Sequence, residues 1–367
     1  MIPHSPPASG YPVRTPHSSR GPWVIRCAPG LARVALAELR FRRVIAREAR
    51  PTVLRQRNHD LIFLQRDAGN PPDPLLRIPE EVHSCLLYGR YKISNAQLER
   101  LAATLRAQRR PFRLVVTADG AHFPRQETRR WLARRLDQLG VRLTDDQDED
   151  NVLWTFCIDE AYYVTLLRCS AADAPYRDAR LAERPGSLPP TIAAAMAYLG
   201  VPRADDTILD PVCGTGTLLA EAYAYAPEAT FIGVDRDRAA LDAARQNLAH
   251  LARHRLILGD GTRTGLSDRS VTLSLANLPF GKQFGDRSSN PRLYGRLLTE
   301  MRRLAVPDKA RAVLLSSDVE ALEAALEAQP GLAVGARHTV KVRGEPATIF
   351  VVRWGPGRGN PPGGSEK

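Results

Sequence analysis

Four short stretches hold side chains able to do chemistry together: "LDPVCGTGT" (209–217), "FIGVDRD" (231–237), "LILGDGT" (256–262) and "LANLPFGKQ" (275–283). Each begins in, or directly follows, an apolar run that reads as a strand. In the first, Gly214 and Gly216 let the backbone turn tightly and approach a ligand with no Cβ in the way. Cys213 and Thr217 belong to the same loop. A dinucleotide fingerprint would need a third glycine where Leu219 stands. Asp210 would repel a pyrophosphate, but it suits a cationic group such as an amino acid's ammonium. Asp235, followed by Arg236, is placed to accept both hydroxyl hydrogens of a ribose. Asp260 can accept from an adenine amino group, and Gly261 leaves a backbone N–H for a ring nitrogen. Each aspartate alone reads equally well as a helix cap or a turn residue. Three of them at successive strand ends, beside a glycine loop, describe a site for ammonium, ribose and adenine without phosphate. That combination is S-adenosylmethionine.

The fourth stretch ends a strand in Asn277, Leu278, Pro279 and Phe280. A planar base with an exocyclic amine accounts for this choice. The two amine hydrogens can point at the Asn277 side-chain oxygen and the Leu278 carbonyl, which turns the nitrogen lone pair toward a methylsulfonium. Pro279 restricts the backbone, and Phe280 offers a face for stacking. No strong base is needed, because the amine becomes acidic only as it is alkylated, so catalysis is mostly positioning. Taken alone, the stretch is an ordinary strand exit into a proline turn.

The elements that must carry these residues alternate. From about Ser187 to Gly355, strands "TILDPV", "TFIGVD", "RLILGD", "SVTLSLAN" and "RAVLLSS" are separated by helices "GTLLAEAYAYA", "RAALDAARQNLAHLA" and "RLYGRLLTEMRRLA". Helix "DVEALEAALEA" and a hairpin, "ARHTVKV" then "ATIFVVRW", close the segment. This pattern predicts an α/β, Rossmann-like domain with a mostly parallel sheet and a terminal hairpin. In such sheets ligands sit beyond the carboxyl ends of the strands.

Upstream, "WVIRCA", the helical "PGLARVALAELRFRR" and the strand "LIFLQR" form a small α+β unit. A second unit begins near Pro111 with "FRLVVTA" and a basic helix over Arg125–Leu139, and continues through "VLWTFCID" and "AYYVTLLRCS". The expected division is a disordered leader (1–21), a first unit (22–90), a second unit (91–170), a linker (171–186), the α/β domain (187–355) and a disordered tail (356–367).

The formal net charge of the 367-residue chain is +12. Residues 1–190 hold +9 of it and residues 191–367 hold +3. A basic half preceding the chemical half suits a polyanion such as RNA. Nearly all the cations are arginine, which a GC-rich genome also produces. Five cysteines (Cys27, Cys85, Cys157, Cys169 and Cys213) form no CxxC pair and no metal-ligand cluster with histidine. This suits a reducing, cytoplasmic setting without a metal. No apolar run is long enough to span a bilayer.

With these residues in view, the chain resembles the class I S-adenosylmethionine methyltransferases that carry a THUMP domain and make N2-methylguanosine in tRNA. The likeness rests on "DPVCGTGTLLAEA" (210–222), "GVDRDRAALDAARQN" (233–247), "GDGT" (259–262), "NLPFGKQ" (277–283) and "LYGRLLTEMRRL" (293–304). It implies a ferredoxin-like unit at 22–90 and an RNA-binding THUMP domain at 91–170. It also implies that "SLPPTIAAAMAYLG" (187–200), with Ser187, Pro190 and Thr191, lines the donor pocket. By the same likeness Asp210, Gly214 and Gly216 hold the methionine end, Asp235 the ribose, Asp260 the adenine, and Asn277 to Phe280 the target base. The resemblance names tRNA as the partner and leaves a small activating subunit open. Many relatives have Asp where Asn277 stands, a departure that bears on which nucleotide is modified. An amino-methyltransferase for ribosomal RNA or DNA, and a non-catalytic or partner-dependent RNA-binding protein of this fold, are the alternatives.

Overall fold

The computed structural model describes residues 22–55, 58–64, 76–90, 93–117, 124–147, 151–158, 161–170, 184, 186–279 and 287–354. The expected leader and tail, most of the linker 171–186 and Phe280 lie outside the described residues.

The first half comprises β1 (Trp23–Cys27), α1 (Ala32–Phe41), β2 (Thr52–Arg55), β3 (Asp60–Leu64), β4 (Glu81–Arg90), α2 (Asn95–Arg106), β5 (Phe112–Val116), α3 (Arg125–Gln138), β6 (Leu143–Thr144), β7 (Val152–Ile158) and β8 (Ala161–Ser170). The strands form a single eight-stranded sheet in the order β2-β3-β1-β4-β8-β7-β5-β6. The units expected at 22–90 and 91–170 are therefore joined edge to edge, because the long strands β4 and β8 pair antiparallel along their length. Helix α2 has no counterpart among the elements expected from the sequence. Its start is nonetheless written in the sequence as a capping box, in which Ser94 accepts from the Gln97 N–H and the Gln97 side chain bonds back to the Ser94 N–H.

The second half comprises α4 (Pro190–Gly200), β9 (Thr207–Asp210), α5 (Thr217–Tyr223), β10 (Thr230–Asp235), α6 (Arg238–Asn247), β11 (His254–Leu258), β12 (Leu273–Asn277), α7 (Asn290–Leu304), β13 (Arg311–Ser316), α8 (Val319–Glu327), β14 (Leu332–Val342) and β15 (Glu345–Trp354). Its seven strands run in the order β11-β10-β9-β12-β13-β15-β14. The first five pair in parallel and the last two form the antiparallel hairpin expected at the end of the chain. Every residue of β13 is buried, as a strand covered on both faces requires. Helix α5 is shorter than its apolar sequence suggests. Pro227 disfavours helical geometry at the residue before it, and the chain has left the helix by then.

The halves share one apolar core, in which Leu31, Ala35 and Leu39 of α1 join Ile192, Ala195 and Met196 of α4. Three buried charged side chains accompany it. Glu38 is fully buried and accepts from the N–H groups of Arg77 (3.1 Å) and Ile78 (3.0 Å) and from the Tyr225 hydroxyl (2.9 Å). The Arg77 guanidinium meets Glu221 of α5 at 2.7 Å, with both side chains at most 4% exposed. Removing one member of such a pair leaves the other buried and uncompensated. We expect Arg77→Met to lower unfolding free energy by about 3–5 kcal/mol, and the double change Arg77→Met, Glu221→Leu to recover most of that loss. Denaturant titration of the three proteins checks this.

Candidate functional site

Parallel pairing sets Gly233 beside Asp210 and Asp235 beside Leu258, and β12 lies on the other side of β9. The tips of β11, β10, β9 and β12 are therefore neighbours, and each delivers one of the stretches singled out in the sequence. Asp210 and Asn277 are the last residues of β9 and β12, Asp235 is the last residue of β10, and Asp260 lies two residues beyond β11.

Asp235 organises the glycine loop. One carboxylate oxygen accepts the Gly214 N–H at 2.8 Å, and the other accepts the Asp237 N–H at 2.9 Å. Each oxygen keeps a second lone pair, which a diol can still use. Gly214 has φ +51°, and a Cβ built there would meet nothing within 4 Å, so the backbone faces open space. The loop is anchored beneath by the Cys213 N–H on the Val234 carbonyl (2.9 Å) and by the Asn247 amide on the Thr215 carbonyl (3.0 Å).

Asp210 is 2% exposed, and one of its oxygens accepts the Val212 N–H at 3.1 Å. Burial pushes its carboxyl up to about 8; the Val212 hydrogen bond opposes the rise and the charge of Asp235 adds to it. Asp260 shifts the other way. The Thr262 N–H, at 2.9 Å, is the main cause of its low pKa, against partial burial and with help from Arg236 (3.8 Å) and Arg296 (3.6 Å). A Cβ on Gly261 would fall 2.0 Å from the Pro211 carbonyl oxygen. Glycine there lets the loop after β11 lie directly on the loop after β9.

At the fourth tip, the Asn277 side-chain oxygen is buried and has no hydrogen-bond partner among the described residues. Buried polar atoms are nearly always paired, so an orphan at a strand tip marks a place for an incoming donor. Leu278 is buried in the core and its N–H donates to the Leu315 carbonyl at 2.9 Å. The Pro279 carbonyl accepts from the Tyr294 hydroxyl at 2.6 Å.

The remaining sequence candidates divide by location. Ser187 reaches the loop, with its hydroxyl 3.3 Å from that of Thr215, which in turn lies 3.3 Å from the Thr217 hydroxyl. Cys213 is buried against Gly233, where a Cβ would meet its sulfur at 2.9 Å. Burial, with Asp210 and Asp235 nearby, drives its thiol far up, so it packs and does not act as a nucleophile. Arg236 is exposed and points its charge at Asp260. Pro190 begins α4, and Thr191 lines a cavity of about 320 Å³ at the seam with the first half, together with Ala28, Glu80 and Lys341. A second cavity, of about 580 Å³, lies between Arg302, Asp308 and Trp354. Neither is lined by the strand-tip carboxylates. Among the described residues no group of histidine, cysteine, aspartate and glutamate is arranged to hold a metal ion, and no helix is long and apolar enough to cross a membrane.

Sequence reasoning missed Asn247, Tyr294 and Ser316. Ser316 carries a legible signal, since it ends β13 just as Asp210, Asp235 and Asn277 end their strands. Tyr294 lies within the buried face of α7, where its ring reads as core.

Residues 177–346 match the family model described as RMKL-like, methyltransferase domain. The matched stretch is similar to that domain and holds all four strand tips. The chain is 32% identical over 156 residues to the tRNA (guanine(6)-N(2))-methyltransferase THUMP3 of Mus musculus, covering 39% of this chain and 31% of the relative. It is 34% identical over 134 residues to the U6 snRNA (guanine-N(2))-methyltransferase THUMPD2 of the same organism, covering 35% and 24% respectively. The chain thus spans under a third of the length of these curated relatives. Among solved structures, TrmN from Thermus thermophilus superposes with a TM-score of 0.76 at 23% identity, covering 91% of this chain and 99% of that one. That likeness establishes the fold along nearly the whole chain, including the first half that the family model does not reach.

The raised carboxyl of Asp210 carries a pH signature. The folded state keeps its proton up to about pH 8, whereas the unfolded chain loses it near the ordinary value of 3.8. Its contribution is therefore fully present below pH 3.8 and is lost as pH rises toward 8, with a slope of at most ~1.4 kcal/mol per pH unit. Urea midpoints measured at pH 6 and pH 8 should fall for the natural protein and change less for Asp210→Asn.

Proposed function

We propose that this protein transfers a methyl group from S-adenosylmethionine to the exocyclic N2 of a guanosine in tRNA. The observation that carries the reading is the Asn277 side-chain oxygen at the tip of β12, which has no partner among the described residues. The residue set fits the donor: Asp210, Gly214 and Gly216 would hold its methionine end, Asp235 its ribose, and Asp260 with Gly261 its adenine. The open face at Gly214 and the spare lone pairs of Asp235 support that fit. When bound, S-adenosylmethionine supplies an electrophilic methyl on a sulfonium.

The chain's own part is to orient the acceptor. Asn277 Oδ1 and the Leu278 carbonyl would accept the two amine hydrogens, and Pro279 would hold that backbone. Phe280, which lies outside the described residues, would stack on the base. With both hydrogens engaged, the nitrogen lone pair faces the methyl group. That nitrogen would receive the bound donor's methyl carbon, the donor sulfur retaining the carbon–sulfur electron pair and one amine proton passing to solvent. The side chains supply geometry rather than a strong base.

In this reading residues 22–90 and 91–170 are the ferredoxin-like and THUMP units, 171–186 a linker, and 187–355 the catalytic domain, in a cytoplasmic protein. The basic first half would grip phosphates. Arg130 and Arg134 on the exposed face of α3, with Trp131 38% exposed between them, support an RNA-facing surface there. The likeness to a U6 snRNA enzyme favours, as a second reading, an RNA other than tRNA. Nucleoside mass spectrometry after incubation with labelled donor and either RNA separates the two.

We expect Asn277→Ala to reduce methyl transfer to tRNA by roughly a hundredfold, with donor affinity nearly unchanged, because only the aim of the acceptor is lost. Purified chain that binds the donor and leaves every tRNA unmethylated would overturn the proposal.

A further inference from the structure

The Asn277–Pro279 backbone is gripped from two sides. On one side the Leu278 N–H donates to the Leu315 carbonyl of β13 at 2.9 Å. On the other, the Pro279 carbonyl receives the Tyr294 hydroxyl at 2.6 Å. Tyr294 is fully buried and comes from α7, a separate element. Its hydroxyl also lies 3.0 Å from that of Ser316, at the end of β13. Ser316 in turn accepts the Asp318 N–H at 2.9 Å, and the Asp318 carboxylate accepts from the Asn290 amide at 2.8 Å.

Donor and acceptor counting gives this chain one direction. A carbonyl only accepts, so the single tyrosine proton goes to Pro279. The Ser316 hydroxyl must then donate to the Tyr294 oxygen, and it takes the Asp318 N–H on its own lone pair. Asn290 is the first residue of α7 and Asp318 immediately precedes α8, so their bond ties the starts of the two helices. Tyr294 lies one turn further along α7. The tie sets the rotation of that turn, and with it the point at which the tyrosine hydroxyl meets the motif.

We propose that Tyr294, oriented by Ser316 and the Asn290–Asp318 tie, is a positioning residue that sets the aim of Asn277 toward the acceptor amine. It touches neither the reacting nitrogen nor the donor; it acts through the Pro279 carbonyl. The inference rests on the amine-methylation reading given above. It predicts that the hydroxyl matters beyond the ring, because a phenylalanine would fill the same buried volume and leave the carbonyl and Ser316 without their partner.

The test is Tyr294→Phe in the full chain, with two readouts. In steady-state methyl transfer to tRNA, kcat should fall at least tenfold while KM for S-adenosylmethionine stays within twofold. In amide hydrogen exchange, protection at Leu278 should drop at least tenfold while amides of β9 and β10 keep theirs. Ser316→Ala should show the same pattern at smaller amplitude, and it decides the matter if Tyr294→Phe does not fold. Unchanged kcat with unchanged protection at Leu278 would overturn the inference, as would a loss of donor binding that matches the loss of rate. Should the natural chain methylate no RNA, the function reading falls, and the exchange readout still decides whether Tyr294 holds the motif.

Discussion

The hydrogen bond from the Gly214 N–H to the Asp235 carboxylate joins the loop after β9 to the tip of β10, and the geometry of the site follows from it. A backbone with left-handed φ at Gly214 and Gly216 has many other conformations available. The carboxylate selects one, helped by the Cys213 N–H below and the Asn247 amide behind. The same oxygens remain partly free. One group thus shapes the cradle and still offers lone pairs to whatever enters it.

The three strand-tip carboxylates sit in different surroundings, and their protonation follows. Asp210, buried beside Asp235, holds its proton through neutral pH. Asp260, half exposed, is held below the ordinary value mainly by the Thr262 N–H, with two arginines helping. Three aspartates within a few strands of one another would repel if all were charged. The fold avoids this by burying one and placing cations beside another.

The first half is fused to the α/β second half rather than tethered to it. A common apolar core, the Glu38 carboxylate and the buried Arg77–Glu221 pair run across the seam. Glu221 lies on α5, the helix that begins at the glycine loop. The loop's supporting helix and the basic half are therefore packed as one body.

Much of this was legible in the amino-acid order. Apolar runs alternating with amphipathic helices specified a parallel sheet with a closing hairpin, because burial on two faces and on one face leave different periods in a sequence. Asp210, Asp235, Asp260 and Asn277 were legible because a strand's end is a local event, marked where apolar residues give way to Gly, Asp or Pro. Tertiary structure alone decided which strands became neighbours, that β4 and β8 fuse two apparent units into one sheet, and that the Asn277 side-chain oxygen has no partner among the described residues. It also decided that Tyr294, Ser316 and Asp318 meet at Pro279. These are contacts between groups distant in the chain, and a hydrogen bond depends on separations of a few tenths of an ångström that no local pattern records.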